Sequence, residues 1–410
     1  MRRGLRLRTL EDLPRNARNS ILLEPLWGVF GTVIMYYAPL YMRGVGLSST
    51  QVGVLGSLTL AFSLLFQAFA APITNRLGRK RTTLLGDLVS WTIPMFIWAF
   101  SRSFETFLLA AVLSASGRIV MVSWSLLVIE DVESSKRAKV FGILNMIVAG
   151  CGLLTPVVGY FIAQYGVVPV LRIFYALGGV GMTVMFVWRN AITQETVSGQ
   201  AAMAEHKDMH PWQSLRYTVQ QVAGLRDHAG LPSVMVFYVL TIFIEQMSLF
   251  QILFLGETLL FGPTALSLVP VAGAVVAAVM YALVRRLAAT PAERTLVLAR
   301  VLGLAGALLL LLIPARNLGM LLLAVSVLAA ATFLTQTYRD AVLFSRLPKT
   351  GGADLYSAVQ TLCLLCSIPA AGLAGLIFSA HPRSLFVLIA GLNLLLLLLA
   401  VLLARSTKAA

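Results

Sequence analysis

Charge is scarce in this sequence: Asp, Glu, Lys and Arg make up 12% of its 410 residues, against 58% apolar. A soluble domain carries about a quarter charged residues and about half apolar ones. This composition leaves too little polar surface to cover a fold that faces water. Cysteine occurs three times, at Cys151, Cys363 and Cys366, which excludes a disulfide framework. Cys363 and Cys366 spell C-x-x-C, but in an apolar stretch without nearby His, so neither metal nor redox use is read there. Histidine is confined to His206, His210, His228 and His381, outside the long apolar blocks, so an intramembrane H-E-x-x-H site is excluded. No Walker loop is present. The chain is therefore not read as an enzyme, no cofactor is expected, and any active transport must draw on an ion gradient.

What the sequence does have is apolar blocks long enough to cross a hydrocarbon core about 30 Å thick, which takes about 20 residues. Twelve are read, at 21–43, 51–73, 82–101, 105–130, 138–164, 168–190, 232–256, 264–286, 293–314, 318–338, 354–379 and 383–404. The net charge of +15 would suggest nucleic acid on a soluble protein. Its placement argues for a membrane instead. Of 32 Lys and Arg, 25 fall in the two tails and the even-numbered loops, 5 in the odd-numbered loops and 2 inside spans. That bias follows the positive-inside rule with both termini cytoplasmic. Residues 1–20 read as a cytoplasmic tail, without the small-residue cleavage site of a removable signal peptide. Ser48 and Gln51 spell a capping box for the second span.

Most connections are short, and one is not. Residues 191–231 are polar, and within them Trp212, Leu215, Val219 and Val222 fall on one helical face, which predicts a short interfacial helix. This loop divides the chain into six spans and six. The expected organisation is a tail at 1–20, a six-helix bundle at 21–190, a central cytoplasmic loop at 191–231, a second bundle at 232–404 and a tail at 405–410. The fold class is thus all-α, with about twelve transmembrane helices in two six-helix bundles.

Between the second and third spans stands Ala71-Pro-Ile-Thr-Asn75-Arg76-Leu77-Gly78-Arg79-Lys80-Arg81. It resembles the signature loop of the major facilitator superfamily, G-x-x-x-D-R-x-G-R-R/K, with Arg76, Gly78, Arg79 and Lys80 in place. Ala71 stands for the first Gly and Asn75 for the acidic residue. In the fifth span Gly142, Pro156 and Gly159 fit the register of that family's antiporter pattern, while Cys151, Thr155 and Tyr160 stand where it has Gly. Without the family, small residues on one face and a kink at Pro156 explain the same positions. The resemblance covers residues 21–404 and implies two pseudo-symmetric bundles. It also implies a substrate site near the midplane and a slight lean toward export.

An ionisable residue at a helix centre costs about 2.5–3.5 kcal/mol on insertion scales, so it marks a cavity or a partner. Arg118, halfway along the fourth span, shares a face with Ser114, Met121 and Ser125. It either holds an anionic substrate group, tunes a carboxylate, or pairs with a buried acid. Glu245, at the centre of the seventh span beside Gln246, heads a stripe with Thr241, Ser248 and Ile252, and Gln251 lies close to it. Away from water its carboxyl suits a proton carrier, with Arg118 as partner or substrate contact; the alternative is a structural Glu. Tyr36, Tyr37 and Asn145 are candidates to line a cavity, with packing the alternative for the tyrosines. Glu24, Asp87, Glu130, Asp131 and Glu133 lie near the cytoplasmic level, where they are read as a gate exchanging ion pairs with Arg76 and Arg79, a network altered or weakened by Asn75, with a solvated loop the equal alternative for 130–139. Arg300 and the Arg339–Asp340 pair are read as serving helix ends.

These residues point to a proton-coupled secondary transporter of a small organic or amphipathic solute, leaning toward export, in the cell membrane. Its partners would be the solute, a proton or other coupling ion and the lipid bilayer, with no nucleic acid and a monomeric state. A non-transporting receptor or scaffold with the same fold, or a lipid flippase, stays open as the alternative.

Overall fold

The computed structural model describes residues 10, 12–205, 231–287, 291–346 and 352–406, and among them there is no strand. Among the described residues twelve helices are long and apolar enough to cross a membrane: Arg15–Val45, Ser49–Leu77, Arg79–Phe100, Phe104–Ile129, Lys139–Tyr165, Val167–Ile192, Pro232–Thr258, Pro263–Leu283, Ala292–Leu312, Leu318–Leu343, Ala358–Ala380 and Pro382–Arg405. Large apolar side chains such as Leu22, Ile173 and Leu402 are more than half exposed along them, which suits a hydrocarbon surrounding and not water. The interfacial helix expected around Trp212 lies outside the described residues.

The ends differ from the sequence reading where side chains reach across. The first span starts six residues early, at Arg15, because Arg15, Asn16 and Asn19 donate to the carbonyls of Ile192 and Gln194 at 2.8–2.9 Å. Asn16 also accepts from the Gln194 N–H at 2.9 Å. These bonds consume free carbonyls at the end of the sixth span. The expected capping box forms: Ser48 Oγ accepts from the Gln51 N–H at 3.1 Å and Gln51 Oε1 accepts from the Ser48 N–H at 2.8 Å. Past the sixth span, Val197–Glu205 makes one further short helix.

Two compact units emerge. The first holds residues 1–35, 61–151 and 168–217, and the second holds 36–60, 152–167 and 218–410. The boundaries run through the first, second and fifth spans, so parts of those spans pack with the later six.

In the first unit, Leu13, just ahead of the first span, and Ala17 and Ile21 within it pack with Val128, Val132, Val140 and Leu144. Trp98 packs edge-on against Phe107 at 5.4 Å and tilts against Tyr175 at 5.1 Å. The third span widens into a π-turn at Leu88–Thr92, directly after Asp87.

The second unit is drawn together by small residues. A Cβ on Gly53 would lie 2.4 Å from the Ala371 carbonyl oxygen and 2.9 Å from Gly375 Cα, so two backbones touch there. The fifth span breaks at a 3₁₀ turn, Gly152–Leu154, just ahead of Pro156, which lacks the N–H that a continuous helix would use. Thr155 then donates to the Ser267 carbonyl at 2.8 Å, and Gly159 approaches Ser267 so closely that a Cβ would lie 2.4 Å away. Gly142, the remaining residue of that pattern, lies ahead of the break, in the first unit. Tyr36 donates to the Leu266 carbonyl at 2.7 Å, with the fully buried Tyr37 ring edge-on to it at 4.9 Å. Arg43 and Glu257 join at 2.8 Å. Both tyrosines therefore sit in helix packing.

Candidate functional site

Three polar constellations stand inside this apolar frame. The first is the loop between the second and third spans. Gly78 has φ of +83°, a conformation that glycine adopts without steric cost. A Cβ there would meet Glu195 Oε2 at 2.5 Å. That space is used: the Glu195 carboxylate accepts from the backbone N–H groups of Arg79 at 3.0 Å and Lys80 at 2.9 Å, two free donors at the start of the third span. The Arg79 guanidinium donates to both oxygens of Glu130 at 2.9–3.2 Å and to Asn75 Oδ1 at 3.1 Å. Thr196 also donates to Glu130.

The loss of the acidic residue at Asn75 is thus answered from elsewhere in the chain, with Glu130 and Glu195 supplying the carboxylates. Of the altered or weakened network expected here, the Arg79–Glu130 contact is present, and Glu195 is the acid that the expectation did not include. Arg76 is exposed and the Lys80 side chain half-buried. Asp131 is exposed; partial burial pushes its carboxyl above the usual range, the Val197 backbone opposes that, and Glu130 and Glu195 add to it. Glu133 pairs with Lys136 at 3.2 Å on the surface.

Glu195 makes a direct test of this cap. Glu195→Ala removes a charge-assisted acceptor from two helix-start donors, a change expected to cost about 1–2 kcal/mol. Thermal unfolding of the detergent-purified protein measures it. An unchanged transition would mean that water replaces the carboxylate without cost.

The second constellation is a cavity of about 450 Å³ in the first unit. Glu24 and Trp27 of the first span, Asp87 and Trp91 of the third, Arg118 and Trp124 of the fourth, and Phe186 and Arg189 of the sixth line it. Trp27 and Trp91 meet edge-on at 5.3 Å. Asp87 and Arg189 form an ion pair with side chains only 4% and 5% exposed, and the buried Glu24 is a second carboxylate close to Arg189. Asp87, read from sequence with the loop network, thus belongs to the cavity. Ser114, Arg118 and Met121 of the predicted stripe face it, whereas Ser125 is not in its wall. Arg118 is half-buried, and its recorded hydrogen bond goes to Met121 Sδ at 3.8 Å.

The third is a smaller cavity of about 230 Å³ in the second unit, lined by Thr241, Glu245, Ser248 and Gln251 of the seventh span together with Arg300, Thr335 and Asn393. Gln246 is not in its wall, and Asn145 is exposed away from both cavities. The partner of Glu245 is Arg339, at 3.5 Å. Arg339 lies over the Tyr238 ring at 4.3 Å and 3.6 Å from Asp340, and Tyr238 donates to Asp340. Arg300 is buried at 5% exposure.

Arg189 and Arg300 line the two cavities and Arg339 pairs with Glu245; sequence reasoning assigned Arg300 and Arg339 to helix ends and did not single out Arg189. Each lies within two turns or so of a span boundary, where a snorkelling Arg and a cavity-lining Arg have the same sequence signature.

The Major Facilitator Superfamily family pattern matches residues 26–371. Quinolone resistance protein NorA of Staphylococcus aureus is 26% identical over 145 residues, 35% of this chain and 36% of that protein. Multidrug resistance protein MdtL of Klebsiella pneumoniae is 29% identical over 175 residues, 41% of this chain and 43% of that protein. The chain thus aligns with well under half the length of these relatives. Among solved structures, the nucleoside transporter NupG superposes with a TM-score of 0.71 at 11% identity, covering 95% of this chain and 98% of that one. An inward-open xylose transporter XylE from E. coli gives 0.67 at 14% identity, covering 93% and 94%. At such identities these structures speak to the fold alone. The match over residues 26–371, the twelve spans and the loop built around Gly78 and Arg79 lead to one conclusion: this multi-pass membrane protein belongs to the Major Facilitator Superfamily.

Proposed function

We propose that the chain is a secondary transporter that exports a small amphipathic organic solute by alternating access, driven by proton movement, in the cell membrane. The observation that carries this reading is the first-unit cavity. It joins three tryptophans to two carboxylates and two guanidinium groups, all carried on membrane spans, with Arg118 at mid-span where a charge is costly to keep. Flat aromatic walls suit an apolar solute body, and a few charged groups suit its polar end. Met35, Met121 and Met185 in the same wall add surface that adapts to different shapes.

The relatives named for quinolone resistance and multidrug resistance support export of such solutes. In this reading Glu245 carries the proton: it lines the second-unit cavity, and its contact with Arg339 is long, at 3.5 Å. Protons enter the scheme because no nucleotide-hydrolysing motif is present to supply energy.

The test is reconstitution of the full chain in liposomes with an imposed pH gradient, presenting ethidium, norfloxacin and a fluorescent sugar separately. Gradient-dependent movement of ethidium or norfloxacin, abolished by a protonophore, is the expected result. Equal flux with and without the gradient would overturn proton coupling. Absence of flux for all three, with ethidium still binding, would favour a non-transporting receptor.

A further inference from the structure

Arg300 presents an unsolved charge problem. It sits in the ninth span with 5% of its surface exposed, and a guanidinium cannot shed its proton to escape the cost of burial. Among the described residues no carboxylate lies within ion-pairing distance of it; Glu245 lines the same cavity and acts on it across space, but the ion pair of Glu245 is with Arg339 at 3.5 Å. One donor, Nη2, goes to Thr335 Oγ1. The Thr335 proton is committed to the Ala331 carbonyl at 2.7 Å, so that hydroxyl serves Arg300 purely as an acceptor. The Phe237 ring, 5.9 Å from the guanidinium, offers a weak cation–π contact. Arg300 Nε is buried without a hydrogen-bond partner. An orphaned donor on a buried cation is costly unless something occupies the adjoining space.

That space is the 230 Å³ cavity of the second unit, which Arg300 lines. Ser248, Gln251 and Asn393 add polar atoms to its wall, Glu245 adds a carboxylate already joined to Arg339, and Leu310, Leu328 and Phe386 form an apolar side. The planar fork of a guanidinium matches a carboxylate through two parallel hydrogen bonds. We propose that this cavity is an anion subsite in which Arg300 receives the carboxylate of an amphipathic solute, with the apolar side taking the adjacent carbons. This names a substrate class for the transporter reading above and rests on it. Amphipathic acids and zwitterions are then preferred over molecules with only a cationic end.

The test uses purified full chain in detergent and three probes of one skeleton: 4-phenylbutyrate, 4-phenylbutyramide and 4-phenylbutylamine. Binding is read by calorimetry and by ligand-induced thermal shift. The acid is expected to bind at least tenfold more tightly than the amide, and the amine more weakly than either. Arg300→Gln is expected to erase the acid-over-amide preference, and Arg300→Lys to retain part of it, since the charge stays and the fork is lost. Should Arg300→Gln fail to fold, Ser248→Leu narrows the cavity without touching the guanidinium and is expected to weaken acid binding. Acid and amide binding alike to the native protein, or a preference that survives Arg300→Gln, would overturn the subsite. Gradient-driven flux without any acid preference would remove this inference alone. An acid preference without flux of any solute would remove the transport reading and leave the subsite standing.

Discussion

Arg189→Met is expected to destabilise the protein by about 3–5 kcal/mol, the range for removing one partner of a buried ion pair. The side chains of Arg189 and Asp87 are 5% and 4% exposed, and Glu24 is buried close by, so this change strands two carboxylates around one cavity. Methionine replaces the apolar stem of Arg189, including its contact with Phe186, so lost packing contributes little. The cost comes from charge left without a counterpart.

A second replacement separates charge from shape. Arg189→Met combined with Asp87→Leu is expected to recover part of the loss, because an apolar pair in place of an ion pair is often neutral while Glu24 keeps no counterpart. Arg189→Lys should fall between, keeping the charge without the planar fork. Thermal unfolding in detergent measures all three. A loss below about 1 kcal/mol in Arg189→Met would place this pair with solvated ion pairs, which contribute little to stability.

Glu245→Gln is expected to abolish gradient-driven flux while leaving solute counterflow and the fold intact. Glutamine has nearly the same shape and keeps an oxygen to accept from Arg339, but it cannot take up and release a proton. The Glu245 side chain is 40% exposed and its contact with Arg339 is long, at 3.5 Å, so the stability change is expected to stay below about 1 kcal/mol. Counterflow requires no net proton movement, and it therefore isolates the coupling step from solute binding. Loss of both activities in a folded variant would assign Glu245 to the solute site instead. Unchanged gradient-driven flux would remove it from the mechanism altogether. Arg339→Gln makes the complementary change and is expected to leave Glu245 without its ion-pair partner beside the cavity.

The twelve spans were legible because the preference of an apolar block for hydrocarbon is a sum over consecutive residues, read directly along the chain. The Ser48–Gln51 box and the turn at Gly78 were legible for a similar reason, since each forms within a few residues of itself. Arg118 and Glu245 were found by the cost of a charge in mid-span, and the structure places each in a cavity wall.

Partnership was not legible. Glu245 pairs with Arg339, Asp87 with Arg189, and the acid missing at Asn75 is answered by Glu130 and Glu195, each far away along the chain. A helix that is apolar all round has no face that composition marks as inward. Between helices in lipid there is little hydrophobic preference to orient them, so small residues and hydrogen bonds from distant segments decide which faces meet. Sequence alone therefore determined the twelve apolar spans that the described residues form as helices, and the tight turns that are built locally. The tertiary structure alone decided which buried charges have partners and which, like Arg300, face an open cavity.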